Sequence, residues 1–251
     1  MPNTVELLSS IGSVDVKKRV CSIIQRLRAD YWLEIDVKDY KNAYEKGEPW
    51  VDLLSVLNWY AYNFKPKYYL EIGVRRGRSM AQVLVESPNT EGFGFDVWSP
   101  SYGSDIKRGI KVKNPGPNFV LEEFRNLGIS KVPTLIDGVS QKTLGRFIHN
   151  PDRPDKINLI NVDGDHTYIG AKVDLINAFL ILAPGGALVF DDISHAVHGA
   201  ELKGLWGEFK QKHPDHFFIE SDFSQLPDTQ SQRGVGIVFK PPFDYLLELG
   251  K

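Results

Sequence analysis

The chain has 251 residues, 30 Lys and Arg against 32 Asp and Glu, and a net charge of -2. With 42% hydrophobic residues and five Trp it can bury a sizeable core, which excludes global disorder, and it lacks the basic excess of a dedicated nucleic-acid binder. No apolar run approaches the ~20 residues that span a bilayer, Met1 to Ser10 has no charged segment followed by an apolar one, and the one cysteine, Cys21, excludes an intrachain disulfide and a cysteine zinc site; a soluble, cytoplasmic protein without nucleic-acid or membrane partners is expected.

Residues 1–66 read as a helical flank. Val14 to Asp30 sets Val, Ile and Leu at helical spacing among Lys and Arg. Trp50 to Phe64 is dense in apolar and aromatic residues, with Pro49 suited to a helix start and Pro66 marking its end. The flank carries no motif; it could pack on its own domain or form a contact between two copies of the chain. Residues 67–251 read as a single α/β domain. Strands are predicted at Tyr68–Gly73, Gly92–Asp96, Val132–Gly138, Ile157–Asp163 and Gly186–Asp191, with two more at His216–Glu220 and Gly234–Phe239. Helical stretches at 79–86, 121–127, 141–147, 170–182 and 200–212 separate most of them. Apolar strands alternating with amphipathic helices indicate a parallel sheet covered on both faces. Trp98 to Asn118 is a long polar connection that reads as a lid or as a plain insertion.

The first five strands end at or next to acidic residues. Ligands of open α/β sheets bind at the carboxyl ends of strands, so this rim is the predicted site. The first turn, Glu71-Ile72-Gly73-Val74-Arg75-Arg76-Gly77, spaces its glycines as G-x-x-x-G rather than in the pyrophosphate fingerprint. A carboxylate at Glu71 suits a ligand with a cationic amino group. Asp96, 25 residues on, can accept hydrogen bonds from both hydroxyls of a ribose, and Asp137-Gly138 ends the strand where an adenine ring would lie. Together these favour an adenosine ligand with a methionine-like tail over NAD.

In that order, Glu71-x-Gly73-x-x-x-Gly77, Asp96 and the Pro184-Gly185-Gly186 turn before Ala187–Asp192 resemble the class I S-adenosylmethionine-dependent methyltransferases over about residues 67–240. The resemblance implies a Rossmann-like, doubly wound seven-stranded sheet, mostly parallel with the last strand antiparallel. It implies S-adenosylmethionine as cofactor, bound by Glu71, Gly73, Gly77, Ser79, Asp96, Asp137, Gly138 and Asp163.

Adjacent parallel strands would bring Asp163 and the Asp191-Asp192 pair to one rim. Carboxylates that close repel one another unless protons or a cation intervene, and Mg²⁺ or another divalent cation with oxygen ligands fits; each aspartate could instead cap a helix. The 28-residue spacing from Asp163 to Asp191 resembles the metal-dependent O-methyltransferases of the catechol and macrocin types. That resemblance implies Asp163, Asp191 and Asp192 as metal ligands. Asp163-Gly164-Asp165-His166 looks closest to the sugar-modifying branch, which implies His166 as general base; the catechol type has lysine there and favours Asn where this chain has Asp192. The expected function is cation-assisted transfer of a methyl group to a hydroxyl of a small molecule or sugar, with His166 and Asp163 as catalytic residues. A metal-independent methyltransferase and a cofactor-binding protein without turnover fit the same residues. Trp98 and Tyr102 could stack on adenine or close the lid; Arg75, Arg76 and Arg78 could meet an acidic substrate or solvent. His195 and His198 could support the metal pair, and Ser221–Arg233 could shape the acceptor pocket.

Overall fold

In a computed structural model, residues 3–48, 50–104, 109–194, 199–222 and 234–247 are described. Pro49, His195, His198 and residues 223–233, together with 105–108 of the long connection, lie outside them.

The flank contains four helices, α1 (Thr4–Ile11), α2 (Val14–Ile24), α3 (Tyr31–Lys46) and α4 (Leu53–Phe64). Side chains of Asn3, Asp30 and Asp52 accept hydrogen bonds from the first turns of α1, α3 and α4, satisfying backbone donors that have no partner within the helix. Neither α1 nor α3 was singled out by its apolar pattern, and α3 shows why: over its 16 residues it buries only Leu33, Tyr40 and Ala43.

Beyond the flank, strands β1 (Tyr68–Ile72), β2 (Glu91–Asp96), β3 (Thr134–Asp137), β4 (Ile157–Val162), β5 (Leu182–Phe190), β6 (Phe217–Asp222) and β7 (Gly234–Phe239) form one sheet in the order β3-β2-β1-β4-β5-β7-β6. Helices α5 (Arg78–Glu86), α6 (Pro117–Asn126), α7 (Ser140–Ile148), α8 (Tyr168–Ile181) and α9 (Gly199–Lys212) connect them. The first five strands are parallel, and β7 runs antiparallel to both β5 and β6, as expected. Two starts differ most from the prediction: α6 begins at Pro117, four residues before the expected 121, and β5 also starts early. β5 begins at Leu182, four residues before the expected Gly186, and carries Pro184 through a register shift against β4; an irregular position is where a strand tolerates proline.

Side-chain alternation divides the core into two layers. Tyr69, Leu159, Val189 and Ile237 face one side, where they join α2, α4, α5 and α6. Leu70, Ile160, Leu188 and Val238 face the other, under α7, α8 and α9. The flank therefore completes one of the two layers that cover the sheet.

Register sets the rim. Ile72 is level with Phe95 and Val162, and Val162 with Phe190. The next residues along, Gly73, Asp96, Asp163 and Asp191, therefore end their strands side by side. Chain order reverses between β1 and β4, the place where an open α/β sheet leaves a crevice.

Candidate active site

Two open clefts meet at this rim. The first, about 1070 Å³, lies over β1, β2 and β4 and is lined by Gly73, Asp96, Tyr102, Gly138, Ser140, Gln141 and Asp163–Asp165, with Asp191 and Asp192 at one end. The second, about 940 Å³, lies between the rim and the flank; Asp36, Asp39 and Tyr40 of α3 and Trp50, Asp52 and Leu53 face Arg75, Arg76, Arg78 and Ser79 across it. Gly73, Arg75, Asp163 and Asp191 line both.

Gly73 adopts φ +91°, and a Cβ there would lie 1.8 Å from the Asp163 carbonyl oxygen, so only glycine fits. Asp96 takes a backbone N–H on each carboxylate oxygen, from Arg75 at 2.6 Å and Trp98 at 2.5 Å. This fastens the turn after β1 to the tip of β2, and Asp96 lines the first cleft. Gly138 donates its N–H to the Asp96 carbonyl at 2.9 Å and lines the same cleft, whereas Asp137 beside it is exposed.

Three of the residues expected at the cofactor sit behind the turn. Glu71 is fully buried and lines neither cleft; its two oxygens accept the Tyr69 hydroxyl at 2.5 Å and the Ser79 hydroxyl. Burial raises its pKa to about 8, against those two hydrogen bonds. Gly77 caps α5 at φ +76° and is packed against Val120 and Phe124 of α6. Ser79 reaches the second cleft rather than the first.

Among the described residues, one group of side chains is placed to hold a metal ion: Asp163, His166 and Asp192 each offer one ligand atom, all within 4.8 Å of one another. His166 Nε2 is 2.9 Å from Asp192 Oδ2 and 3.6 Å from Asp163 Oδ1. Burial opposes a charge on the imidazole, but the hydrogen bonds and charges of Asp163 and Asp192 carry its pKa up to about 10. Asp191 is outside this group. It is 7% exposed and lines both clefts, while Asp192 turns away on a left-handed φ of 60°. Tyr102 reaches His166 through its hydroxyl, 3.3 Å from Nδ1, with the ring centres 6.3 Å apart and the planes 16° from parallel, so this aromatic holds the histidine. Trp98, by contrast, packs against the core layer of the flank.

The flank side of the site was not legible in the sequence. Lys17 of α2 is fully buried; it donates to Ser55 Oγ at 2.9 Å and to the Trp50 carbonyl, and its ammonium lies 3.6 Å from the centre of the Trp50 ring. Burial lowers its pKa to about 8, with Asp52 opposing. The Tyr40 hydroxyl donates to Asp52 at 2.6 Å. This network fixes Trp50, Tyr40 and Asp52 as the far wall. Arg76 and Arg78 tie α3 to the turn after β1: Arg76 Nε is 2.9 Å from Asp30, and Arg78 pairs with Asp30 and, at 3.1 Å, with Asp36. The Trp32 indole donates to the Gly103 carbonyl at 2.7 Å, joining α3 to the long connection.

Residues 70–193 match a family described as a methyltransferase domain. No curated protein matches the sequence. Among solved structures, an O-methyltransferase from Bacillus cereus in complex with SAH superposes with a TM-score of 0.54 at 12% identity, covering 74% of this chain and 79% of that one. The O-methyltransferase TomG from Streptomyces achromogenes, involved in tomaymycin synthesis and solved with SAM, gives 0.55 at 13% identity, covering 74% and 78%. A Klebsiella pneumoniae protein provisionally assigned as an O-methyltransferase gives 0.53 at 17% identity, covering 90% and 89%. The matched residues take in the glycine turn and the carboxylate rim, so this part of the chain is similar to a methyltransferase domain, and the solved O-methyltransferases share its fold.

Proposed function

We propose that the protein transfers the methyl group of S-adenosylmethionine to a hydroxyl of a small molecule or sugar, assisted by a divalent cation. The observation that carries this reading is the meeting of two clefts at Gly73, Arg75, Asp163 and Asp191. One cleft offers a nucleoside the Asp96 carboxylate and the Gly138 turn. The other offers an acceptor an aromatic and charged wall built by the flank. Bound side by side, donor and acceptor would meet over the strand tips.

The chemistry asks for three things. A C–O bond forms as the S–CH₃ bond breaks, so the oxygen must be held in line with the methyl carbon and sulfur. The hydroxyl proton must leave, and the rim supplies the carboxylates of Asp163, Asp191 and Asp192 with the imidazole of His166. The oxygen must be a better nucleophile than a neutral alcohol; a bound divalent cation supplies this by lowering the hydroxyl pKa and fixing the oxygen. Asp163 and Asp192 would hold such an ion with their neighbours on the rim.

Calorimetric titration with S-adenosylmethionine and S-adenosylhomocysteine tests the donor side, and micromolar binding of both is expected. A transfer assay over a panel of sugar hydroxyls and phenols, with and without EDTA, tests the rest. Absence of nucleotide binding overturns the reading. Transfer that is indifferent to EDTA removes the cation, and binding without transfer to any acceptor leaves a cofactor-binding protein.

A further inference from the structure

His166 is what separates this rim from an all-oxygen one. Its Nε2 faces Asp192 Oδ2 and Asp163 Oδ1 at 2.9 and 3.6 Å. Its Nδ1 faces the Tyr102 hydroxyl at 3.3 Å, the two ring planes being almost parallel. A histidine held by an outer hydrogen bond on one nitrogen, with the other turned to carboxylates, has the orientation of a metal ligand. A base for the acceptor hydroxyl needs a nitrogen directed at the acceptor. Here one nitrogen points to the carboxylates and the other to Tyr102.

We propose that His166 is a metal ligand rather than the general base, and that Asp163, His166 and Asp192 form a mixed oxygen and nitrogen site for a first-row transition ion of the Mn²⁺, Co²⁺ or Zn²⁺ class in preference to Mg²⁺. The proposal rests on the divalent-cation reading above and specifies its ion. Mg²⁺ is hard, takes oxygen ligands and gives up its waters reluctantly, so an imidazole adds little to its binding. The transition ions accept imidazole readily, and their affinity for one donor set rises along the series from Mn²⁺. Three protein ligands leave positions open for an acceptor oxygen, as sites that do chemistry require. Tyr102 is the positioning residue: it touches the ligand, not the ion.

The full chain, freed of metal with a chelator, is titrated with MnCl₂, CoCl₂ and MgCl₂ alone, and the Mn²⁺ form is examined by pulsed electron paramagnetic resonance. Mn²⁺ and Co²⁺ are expected to bind at least about tenfold more tightly than Mg²⁺, and bound Mn²⁺ to show nitrogen coupling. His166→Gln should remove that coupling and weaken Mn²⁺ on the order of 10–100-fold, with little change for Mg²⁺. Tyr102→Phe keeps the ligand and loses its orienting bond; it should keep the coupling and weaken Mn²⁺ about tenfold. This second variant carries the test if His166→Gln does not fold. Mn²⁺ bound without nitrogen coupling, or Mg²⁺ bound as tightly as Mn²⁺, overturns the proposal and returns His166 to the base role. No bound metal overturns the proposal together with the cation part of the proposed function. S-adenosylmethionine binding, measured on the same samples, reads the methyl-transfer part separately.

Discussion

Gly73 and Asp163 touch backbone to backbone: a single added carbon on Gly73 would lie 1.8 Å from the Asp163 carbonyl oxygen. The tip of β1 and the tip of β4, which come from segments about 90 residues apart in the chain, are thereby brought to the closest approach a peptide chain allows. Gly73→Ala should therefore destabilise the fold by several kcal/mol, more than the ~1–3 kcal/mol of a strained residue alone, and abolish nucleotide binding. Gly47→Ala is the control, since Gly47 has a similar positive φ of 69° with nothing within 4 Å; it should cost about 1 kcal/mol. Urea unfolding of both variants checks the pair, and equal costs would show that the contact is not what fixes the glycine.

Asp191 and Asp192 are adjacent in sequence but differ in placement, and metal affinity should divide them. Asp192→Asn removes a member of the close group and should weaken Mn²⁺ by more than the ~10–100-fold typical of outer partners. Asp191→Asn should stay within that range. Calorimetry with MnCl₂ reads both. A larger loss in Asp191→Asn would favour the ligand set expected from sequence.

Glu71 gives a pH signature. Its pKa in the folded protein is about 8 against 4.5 for an ordinary glutamate, because burial disfavours the charge. The folded state therefore holds a proton that the unfolded state has lost between those values. Stability from this group is complete below about pH 4.5, declines as pH rises, and is lost above about pH 8. Glu71→Gln should fold and should show a flatter melting temperature between pH 5 and 8 (~ranges set by these two values). Parallel curves for the two proteins would exclude a buried neutral carboxyl.

Asp30 titrates with the opposite sign. Burial raises its pKa, but Arg78, the Leu33 N–H and Arg76 outweigh this and hold it below the usual 3.8. Its contribution is present above that value and is lost as pH falls through the lowered one. Asparagine caps helices as well as aspartate does, so Asp30→Asn isolates the ion pairs; it should cost on the order of 1–3 kcal/mol, between the exposed and buried ranges. Asp30→Ala should cost about 1 kcal/mol more, from the lost cap of α3. Denaturant unfolding at pH 7 measures the difference, and equal costs would mean the cap contributes nothing.

The sheet was legible in the sequence because each strand of the parallel half is a short apolar run closed by glycine or aspartate, as in Tyr68–Gly73 and Ile157–Asp163. The start of β5 was not, since Pro184 and two glycines read as a turn although the strand passes through them. α3 hid for the opposite reason: one thinly buried stripe over 16 residues leaves little periodicity. Within the site, Gly73, Asp96, Gly138 and Asp163 follow from strand ends and register. The bond from His166 to Asp192 spans 26 positions and that to Tyr102 spans 64, separations at which no local pattern speaks. Asp191 and Asp192 read as a pair because they are neighbours, yet the left-handed backbone at Asp192, with φ 60°, separates their placement. The wall of the second cleft depends on how α3 and α4 seat against the turn, which only the packed structure reveals.

The alternation that sends Tyr69, Leu159, Val189 and Ile237 to the flank side has a consequence for dissecting this protein. A shortened chain beginning near residue 67 would keep every strand and every rim carboxylate, yet it would present the apolar faces of the sheet and of α5 to water where the flank had been. Exposed surface of that kind drives self-association. The flank is thus part of the folded unit, and a chain shortened in this way should be recovered as aggregate.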